Sequence, residues 1–287
     1  MDQHVDAYDP LVTELCERAL VTVIGNAGFW GRHLYLVGGL AGRYLTQVAP
    51  PGAPAHVGSR DVDLALVLAV EESAGGSYET LMKNLRDGGF RQAPEPEDPE
   101  YRWRRNVDGH PVVLEFLGET DDVEPGRMFR PRGGSGSSFQ ALNVRGVRLL
   151  PLDYSLVKVA AVRLDDGGRS EVSVRVTGLF SFVVLKVFAY QDRHHAKDAY
   201  DLIHVLQYQP GGAAASGGLL AGSPVGADDL AIEAFRMLAE HFGDPGMDGP
   251  TDYGRFMDAT GDPEVAARYR NEAVAVVDAV LRAYRGV

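Results

Sequence analysis

Two aspartates separated by one residue are the first feature of this sequence that could support chemistry. Asp61 and Asp63 alternate with Val62 and Leu64, a pattern that predicts a strand with both carboxylates on one face. Adjacent carboxylates repel each other, so a cation between them is expected. Mg²⁺ is usually held by one or two carboxylates together with substrate phosphates. The pair therefore indicates nucleotide chemistry; two solvent-facing acids on a strand are the alternative.

A glycine pair precedes the aspartates. Gly38 and Gly39 follow an apolar strand predicted over residues 33–37, and a helix is predicted from Leu40 to Val48. Glycine lets the backbone approach a phosphate closely, and the N–H groups at the start of a helix can meet an anion. We therefore expect the pair to lie against a triphosphate, with a plain tight turn as the alternative.

A third carboxylate interrupts another apolar strand. Glu115 lies within the run 112–117, which is otherwise apolar. Burying an unpaired charge there would cost several kcal/mol, so a cation or a positive partner is expected. A two-metal site generally uses a carboxylate from a neighbouring strand. Glu115 is therefore the candidate third ligand, and an edge-strand glutamate facing water is the alternative.

Lysines and aspartates cluster late in the chain. Lys186 lies at the margin of an apolar helical stripe. In a continuous helix Lys186, Lys197 and Asp201 would share one face, and Asp198 would fall on the apolar side unless the chain breaks at 192–195, as the polar run there permits. The lysines could neutralise a triphosphate, and either aspartate could hold a lysine or act as a base. A lysine that snorkels to solvent from the stripe margin is the alternative for Lys186.

Composition limits the class of protein. The chain has 287 residues, 45% of them hydrophobic, and a single cysteine, Cys16, which excludes a disulfide framework and a cysteine-based zinc site. The N-terminus lacks the plan of a secretion signal. No apolar run reaches the roughly 18–20 residues of a membrane span. We therefore expect a cytoplasmic protein with no membrane partner.

The charge is acidic overall but unevenly distributed. A net charge of −12 argues against a generic nucleic-acid coat. Basic residues nevertheless gather at Arg102, Arg104, Arg105, Arg127, Arg130, Arg132, Arg145, Arg148, Lys158 and Arg163. They indicate either a local phosphate-binding surface or scattered solvated arginines.

Strands dominate the first half of the chain and helices the second, which predicts an α+β fold with a sheet-containing catalytic part followed by a helical C-terminal half. Asp108-Gly109 predicts a hairpin turn, and strand 61–70 carries the aspartates. Helices are predicted at 10–29, 78–87, 153–164, 177–207, 228–243 and 263–285. The Gly/Ala/Ser-rich run 210–227 is expected to be mobile. A Gly/Ser linker at 133–138 favours two domains, a catalytic core at 1–132 and a mainly helical domain at 133–287 that completes the active site.

The order of these motifs resembles the AbiEii/AbiGii-type nucleotidyltransferases of the DNA polymerase beta-like superfamily. The resemblance spans about Val23 to Leu206 and rests on Gly-Gly, Asp-x-Asp, Lys-x-x-Ala-x-x-x-Arg and Lys-Asp-x-x-Asp-Leu. It implies a nucleotidyltransferase core with a mixed sheet and a helical C-terminal half. It also implies metal-binding aspartates at Asp61 and Asp63, a nucleotide-contacting lysine at Lys186 and a late acid at Asp198, with Asp201 less certain. Several such proteins are toxins of toxin–antitoxin pairs, and some add nucleotides to the 3′ end of tRNA.

The sequence and the resemblance together predict a Mg²⁺-dependent nucleotidyltransferase that uses a nucleoside triphosphate and modifies tRNA or another RNA, with a cognate antitoxin as a possible partner. The expected catalytic residues are Asp61, Asp63, Lys186 and Asp198, and the expected metal ligands are Asp61, Asp63 and Glu115. The expected nucleotide-binding residues are Gly38, Gly39, Ser59, Arg60 and Lys197. The alternatives are transfer to a protein or small-molecule (antibiotic) hydroxyl, and a non-catalytic nucleotide-binding protein.

Overall fold

The computed structural model describes residues 4–67, 78–93, 95, 97–131 and 138–286. Its fold is α+β, with a mixed sheet and a helical C-terminal half, which confirms the predicted fold class. The strands are β1 (Leu34–Val37), β2 (Asp61–Leu66), β3 (Arg91–Gln92), β4 (Arg102–Val107), β5 (His110–Gly118), β6 (Met128–Phe129), β7 (Ala141–Asn143), β8 (Tyr154–Val162) and β9 (Arg169–Thr177). The helices are α1 (Pro10–Asn26), α2 (Gly38–Leu45), α3 (Tyr78–Asp87), α4 (Leu179–Arg193), α5 (Ala196–Gln207), α6 (Gly212–Ala221), α7 (Asp229–Phe242), α8 (Asp248–Met257) and α9 (Pro263–Arg285).

The chain divides into two compact units. The sheet unit comprises Pro10–Leu40 and Ser59–Thr177, and the helical unit comprises Met1–Asp9, Ala41–Gly58 and Gly178–Val287. The predicted domain division between residues 132 and 133 stays a prediction. Residue 132 and most of the predicted linker at 133–138 lie outside the described residues, as do the last three residues of the predicted strand 61–70.

The sheet unit places the aspartate-bearing strand at the centre of its sheet. The strand order is β3-β4-β5-β2-β1-β9-β8, with β7 beside β5 and β6 beside β7. Strand β2 runs parallel to β5 and antiparallel to β1. One face of these strands is fully buried, and helix α1 packs against β2 and β5. The side chains of that buried face include Val62, Leu64, Trp103, Val112, Leu114 and Phe116. Alternation along each strand puts Asp61 and Asp63 on the opposite face.

The turn between β4 and β5 has the geometry that its sequence predicts. Asp108 and Gly109 have φ values of 52° and 87°, and positive φ at both central residues is typical of a type I′ turn. Helix α3 also has the predicted bounds, and α1 ends at Asn26, close to its predicted end. These local predictions are confirmed.

The helix predicted at 153–164 is wrong. Residues Tyr154–Val162 form strand β8, which pairs antiparallel with β9 over nine residues. Apolar residues follow one another here without a clear period, so the run fits a buried strand as well as a helix. Three β-branched residues, Val157, Val159 and Val162, favour the strand, and pairing with β9 decides between the two.

The helix predicted at 177–207 is two helices, separated within the polar run 192–195 where the sequence permits a break. Helix α4 ends at Arg193, where His194 takes a left-handed conformation with φ of 47°, and α5 begins at Ala196. The helices predicted at 228–243 and 263–285 correspond to α7 and α9 and are confirmed. The run 210–227, expected to be mobile, contains helix α6. There Gly217 lies against α9, where a Cβ would come within 2.3 Å of the Val280 carbonyl oxygen.

Candidate functional site

The three predicted metal ligands form an acid cluster on one face of the sheet unit. Parallel pairing of β2 with β5 sets Asp63 opposite Glu115 and Asp61 opposite Val113. Paired residues on neighbouring strands share a face. One carboxylate oxygen from each of Asp61, Asp63 and Glu115 lies within 4.8 Å of the others, and all three residues are half-buried. The structure therefore brings together the three carboxylates that the sequence singled out, and their binding of a metal stays a prediction.

The chemistry of the acid cluster suits a hard divalent cation. Carboxylate oxygens are the ligands that Mg²⁺ prefers, and three of them concentrate negative charge where solvent screening is reduced. Ser59 is buried and donates a hydrogen bond from Oγ to Asp61 Oδ1 (2.7 Å), which fixes that carboxylate. Cys16 lies close by; burial and then the charges of Asp61 and Asp63 raise the pKa of its thiol. This donor set fits Mg²⁺.

Gly38 provides the space that Asp63 needs. Its φ is +69°, and an added Cβ would lie 1.7 Å from Asp63 Oδ2. A side chain at this position is therefore excluded by both backbone conformation and overlap. Gly39, the next residue of α2, is buried. Gly38 thus has a structural role beside Asp63, while the predicted contact of the glycine pair with a triphosphate stays a prediction.

Arg102 is the positive partner that Glu115 required. The antiparallel register of β4 and β5 sets Arg102 opposite Glu115. Arg102 donates to Glu115 Oε1 from both Nε (2.9 Å) and Nη2 (2.6 Å). Arg102 and Arg104 also donate to Asp98 Oδ1, at 3.3 and 2.6 Å, and the Asp98 side chain is fully buried. The acid cluster therefore adjoins a short chain of alternating charges.

The late lysines and aspartates form a second group, the lysine network, within the helical unit. Lys186 on α4 contacts Asp198 Oδ1 (2.8 Å) and Asp201 Oδ2 (2.6 Å) on α5. Lys197 pairs with Asp201, and Arg193 donates to Asp198 from Nε (2.7 Å) and Nη2 (2.9 Å). Lys186 is only 6% exposed and Asp201 is 0% exposed. Each aspartate is thus shared between two cations.

His56 joins the same network from the segment before β2. The Gly58 N–H donates to His56 Nδ1 (3.0 Å), so Nε2 carries the proton and donates to Asp201 Oδ1 (3.0 Å). Gly42 makes room for the ring, since an added Cβ there would lie 2.7 Å from Nε2. The ring also packs edge-on against His204. His56 therefore fixes the orientation of the Asp201 carboxylate.

Burial and charge pairing shift the pKa values of this network. Burial alone would lower the pKa of Lys186, but Asp198 and Asp201 outweigh it and raise that pKa. For Asp201, burial is opposed by Lys186 and Lys197, and its pKa falls well below the ordinary value. Burial lowers the pKa of Lys197 and lowers that of His56 to about 4. His56 is therefore neutral at pH 7 while both aspartates are charged.

The structure brings the predicted residues together in two groups. Asp61, Asp63, Glu115, Ser59 and the glycine pair belong to the sheet unit, whereas Lys186, Lys197, Asp198 and Asp201 belong to the helical unit. Arg60, expected to bind nucleotide, is exposed. Because both lysines are engaged in buried ion pairs, their predicted contact with phosphate stays a prediction.

Three contributors were not identified as site residues from the sequence. His56 lies in the proline-containing segment between the predicted helix 40–48 and the predicted strand 61–70, which has no period that could mark it. Arg193 belonged to the recognised Lys-x-x-Ala-x-x-x-Arg motif but had no assigned partner. The partnership of Arg102 could have been found, because counting outward from the Asp108-Gly109 turn sets it opposite Glu115.

Several of the basic residues that gather between Arg102 and Arg163 form ion pairs with acidic residues. Arg148 contacts Glu119 (3.7 Å), Lys158 contacts Glu171 (3.2 Å), and Arg163 pairs with Asp165. Arg127 and Arg130 are exposed. A phosphate-binding role of this segment stays a prediction. Because three of its basic side chains have acidic partners, fewer of them are available to bind phosphate than the sequence indicated.

Comparison with known proteins gives no assignment: no family model matches the chain, and no curated protein matches it significantly. Within the part of the chain that the structure describes, no helix combines the length and apolar character needed to cross a bilayer.

Proposed function

We propose that this protein is a Mg²⁺-dependent nucleotidyltransferase that moves a nucleoside monophosphate from a nucleoside triphosphate to an acceptor hydroxyl. The observation that carries the proposal is the acid cluster: oxygens of Asp61, Asp63 and Glu115 lie within 4.8 Å of one another on adjacent strands. The resemblance to AbiEii/AbiGii-type nucleotidyltransferases, drawn from the motifs, supports the same reaction. We further propose the cytoplasm as the place of action.

The site residues of the sheet unit each have a defined role in this proposal. Asp61 and Asp63 hold the metal, Glu115 adds a third oxygen ligand, and Ser59 keeps Asp61 oriented through its 2.7 Å hydrogen bond. Gly38 leaves the space that Asp63 occupies. Bound Mg²⁺ would offset charge on the triphosphate oxygens. The acceptor hydroxyl gives up its proton to a base, its oxygen bonds to the α-phosphorus, and the bond from that phosphorus to the leaving pyrophosphate breaks.

The proposed role of the lysine network begins with the contact between α4 and α5. Lys186, with Asp198 and Asp201, holds these two helices together at the chain break. Direct contact of Lys186, Lys197 or Arg60 with the nucleotide is part of the proposal, and so is contact of Gly39 with the phosphates. In both Asp198 and Asp201, burial is outweighed by the neighbouring cations, which lower the carboxyl pKa, and a role of Asp198 as the base is part of the proposal.

For the acceptor we propose the 3′ end of tRNA or another RNA, and for the biological role the toxin of a toxin–antitoxin pair. The exposed arginines Arg127 and Arg130 favour a polyanionic acceptor over a cationic aminoglycoside. The first alternative is transfer to a hydroxyl of a protein or of another small molecule. The second alternative is that this chain binds nucleotides without catalysing transfer.

The deciding experiment incubates the protein with each labelled nucleoside triphosphate, Mg²⁺ and total tRNA, followed by electrophoresis. Label on RNA, lost in Asp61→Asn and Asp63→Asn, is the expected result. Asp87→Asn is the matched control, because Asp87 is an exposed aspartate paired only locally with Lys83. Label on the protein would indicate that the acceptor is a protein hydroxyl and not RNA. Transfer that persists in both cluster variants would refute the assignment of the site.

A further inference from the structure

The ion pair between Arg102 and Glu115 carries an inference that rests on the proposed metal site. Arg102 contributes two hydrogen bonds to one oxygen of a carboxylate that also belongs to the acid cluster. A guanidinium is already in place as the cation that Glu115 needs. A divalent ion at the cluster would therefore compete with Arg102 for the charge of Glu115.

Arg102 is held firmly in this position. Its side chain is 27% exposed and that of Glu115 is 15% exposed, so solvent screens the pair only partly. On its other side Arg102 donates to Asp98, which Arg104 also contacts. Strand register keeps Arg102 opposite Glu115. The guanidinium cannot leave the cluster without giving up both carboxylates.

We infer that Arg102 is a positioning residue that weakens the binding of a divalent cation alone, so that the metal site fills mainly together with a triphosphate. The reasoning is electrostatic. A fixed positive charge next to one ligand opposes an incoming cation, and the same charge attracts the phosphates that accompany a metal–nucleotide complex. By linkage, metal and triphosphate then raise each other's affinity by the same factor.

The test measures binding of Mn²⁺, a Mg²⁺ substitute detectable by electron paramagnetic resonance, to the full-length protein. Inorganic triphosphate is then added while free Mn²⁺ is held fixed. In Arg102→Gln we expect Mn²⁺ alone to bind on the order of tenfold more tightly than in the native protein. The gain in Mn²⁺ affinity caused by triphosphate should shrink by a similar factor. Arg102→Lys keeps the charge and should stay close to the native behaviour.

Two further variants identify the cause. Arg91→Gln removes an arginine from β3, which pairs with β4 opposite Arg104, and should change Mn²⁺ affinity less than twofold. In a Glu115→Gln background, Arg102→Gln should raise Mn²⁺ affinity by a smaller factor, because the competition for Glu115 is already gone and only the charge of Arg102 is removed. Thermal unfolding without metal checks that each variant is folded.

The inference and the proposed function fail in different ways. If the native protein binds Mn²⁺ no better than Asp63→Asn does, the metal site itself is wrong. If the native protein binds Mn²⁺ and Asp63→Asn does not, but Arg102→Gln binds it equally or more weakly, the role assigned to Arg102 is overturned.

Discussion

The acid cluster of the sheet unit and the lysine network of the helical unit both bring carboxylates together, but they balance charge in opposite ways. In the cluster, three half-buried carboxylates lie within reach of one another, and Arg102 donates two hydrogen bonds to Glu115. In the network, Asp198 and Asp201 are each paired with two cations and are almost completely buried. Each aspartate of the network thus faces two cations, whereas the cluster brings three carboxylates within 4.8 Å of one another.

We infer from this difference that the lysine network stabilises the fold and that the acid cluster is suited to binding a cation. Removing one partner of a buried ion pair leaves a charge without compensation, which is strongly unfavourable. Removing one of several repelling carboxylates relieves a strain that the fold already bears. The same chemical change should therefore have opposite consequences in the two groups, and stability measurements can test that.

The largest effect is expected for Asp201→Asn in the lysine network. The change leaves Lys197 without its carboxylate and Lys186 with only Asp198, so we expect the free energy of unfolding to fall by about 3–5 kcal/mol. Urea denaturation followed by far-ultraviolet circular dichroism measures it. Asp87→Asn, which breaks an exposed pair, should cost under about 1 kcal/mol. If Asp201→Asn lowered the free energy of unfolding by only under about 1 kcal/mol, the lysine network would not have the stabilising role assigned to it.

Gly38→Ala should give the next largest effect, this time beside the acid cluster. The new Cβ would overlap Asp63 Oδ2, and alanine is strained at φ of +69°. We expect a loss of about 2–4 kcal/mol from strain and overlap together. Gly28→Ala is the matched control: Gly28 has φ of +54° with no atom within 4 Å of the added Cβ, so only backbone strain of about 1–2 kcal/mol applies. Equal losses in the two variants would show that Asp63 moves aside without cost.

The two groups also differ in how much of them the sequence could predict. Asp61, Asp63 and Glu115 stand out as charges in apolar strands, and strand alternation predicts which face they share. Arg102 could be derived as well, because a two-residue turn fixes the register of its hairpin. The internal balance of the lysine network depends on the angle between α4 and α5 and on His56, which arrives from a segment without periodicity.

The same limit explains the errors in the fold. Strand β8 was taken for a helix because its apolar residues fit either period, and only pairing with β9 distinguishes them. Helix α8 escaped notice because Gly249, Pro250 and Gly254 lie within it. Tertiary packing outweighs propensity at such places; an added Cβ at Gly254 would lie 2.9 Å from the Ala266 carbonyl oxygen of α9.

The stability of the lysine network should also depend on pH through His56. Its folded-state pKa of about 4 lies below the ordinary value of 6.5, mainly because burial disfavours the charged ring. Between pH 6.5 and 4 the unfolded chain binds the proton more readily, so stability is full above pH 6.5 and falls as pH falls towards 4. At pH 5 the loss from His56 should be about 2 kcal/mol relative to pH 7.

Replacing His56 tests this dependence. His56→Gln should lose less stability between pH 7 and pH 5 than the native protein, measured by urea denaturation at each pH. Part of the slope should remain, because burial also lowers the pKa of His204, to about 3. The charged groups that act on His56 are Asp201, Lys197 and Lys186, and all three keep their charges in this window. An unchanged slope would mean that His56 is not held neutral in the fold.

The smallest effect, Asp63→Asn, is the most direct challenge to the comparison because its sign is opposite to that of Asp201→Asn. With chelator present, neutralising Asp63 relieves repulsion with Asp61 and Glu115, so stability should rise by up to about 1 kcal/mol. Added Mg²⁺ should stabilise the native protein and leave the variant unaffected, because binding to the folded state stabilises by mass action. Loss of more than about 1 kcal/mol in chelator would place Asp63 with Asp201, as a carboxylate that the fold itself requires. The acid cluster would then be a structural feature, and the argument for a metal there would have to rest on direct binding alone.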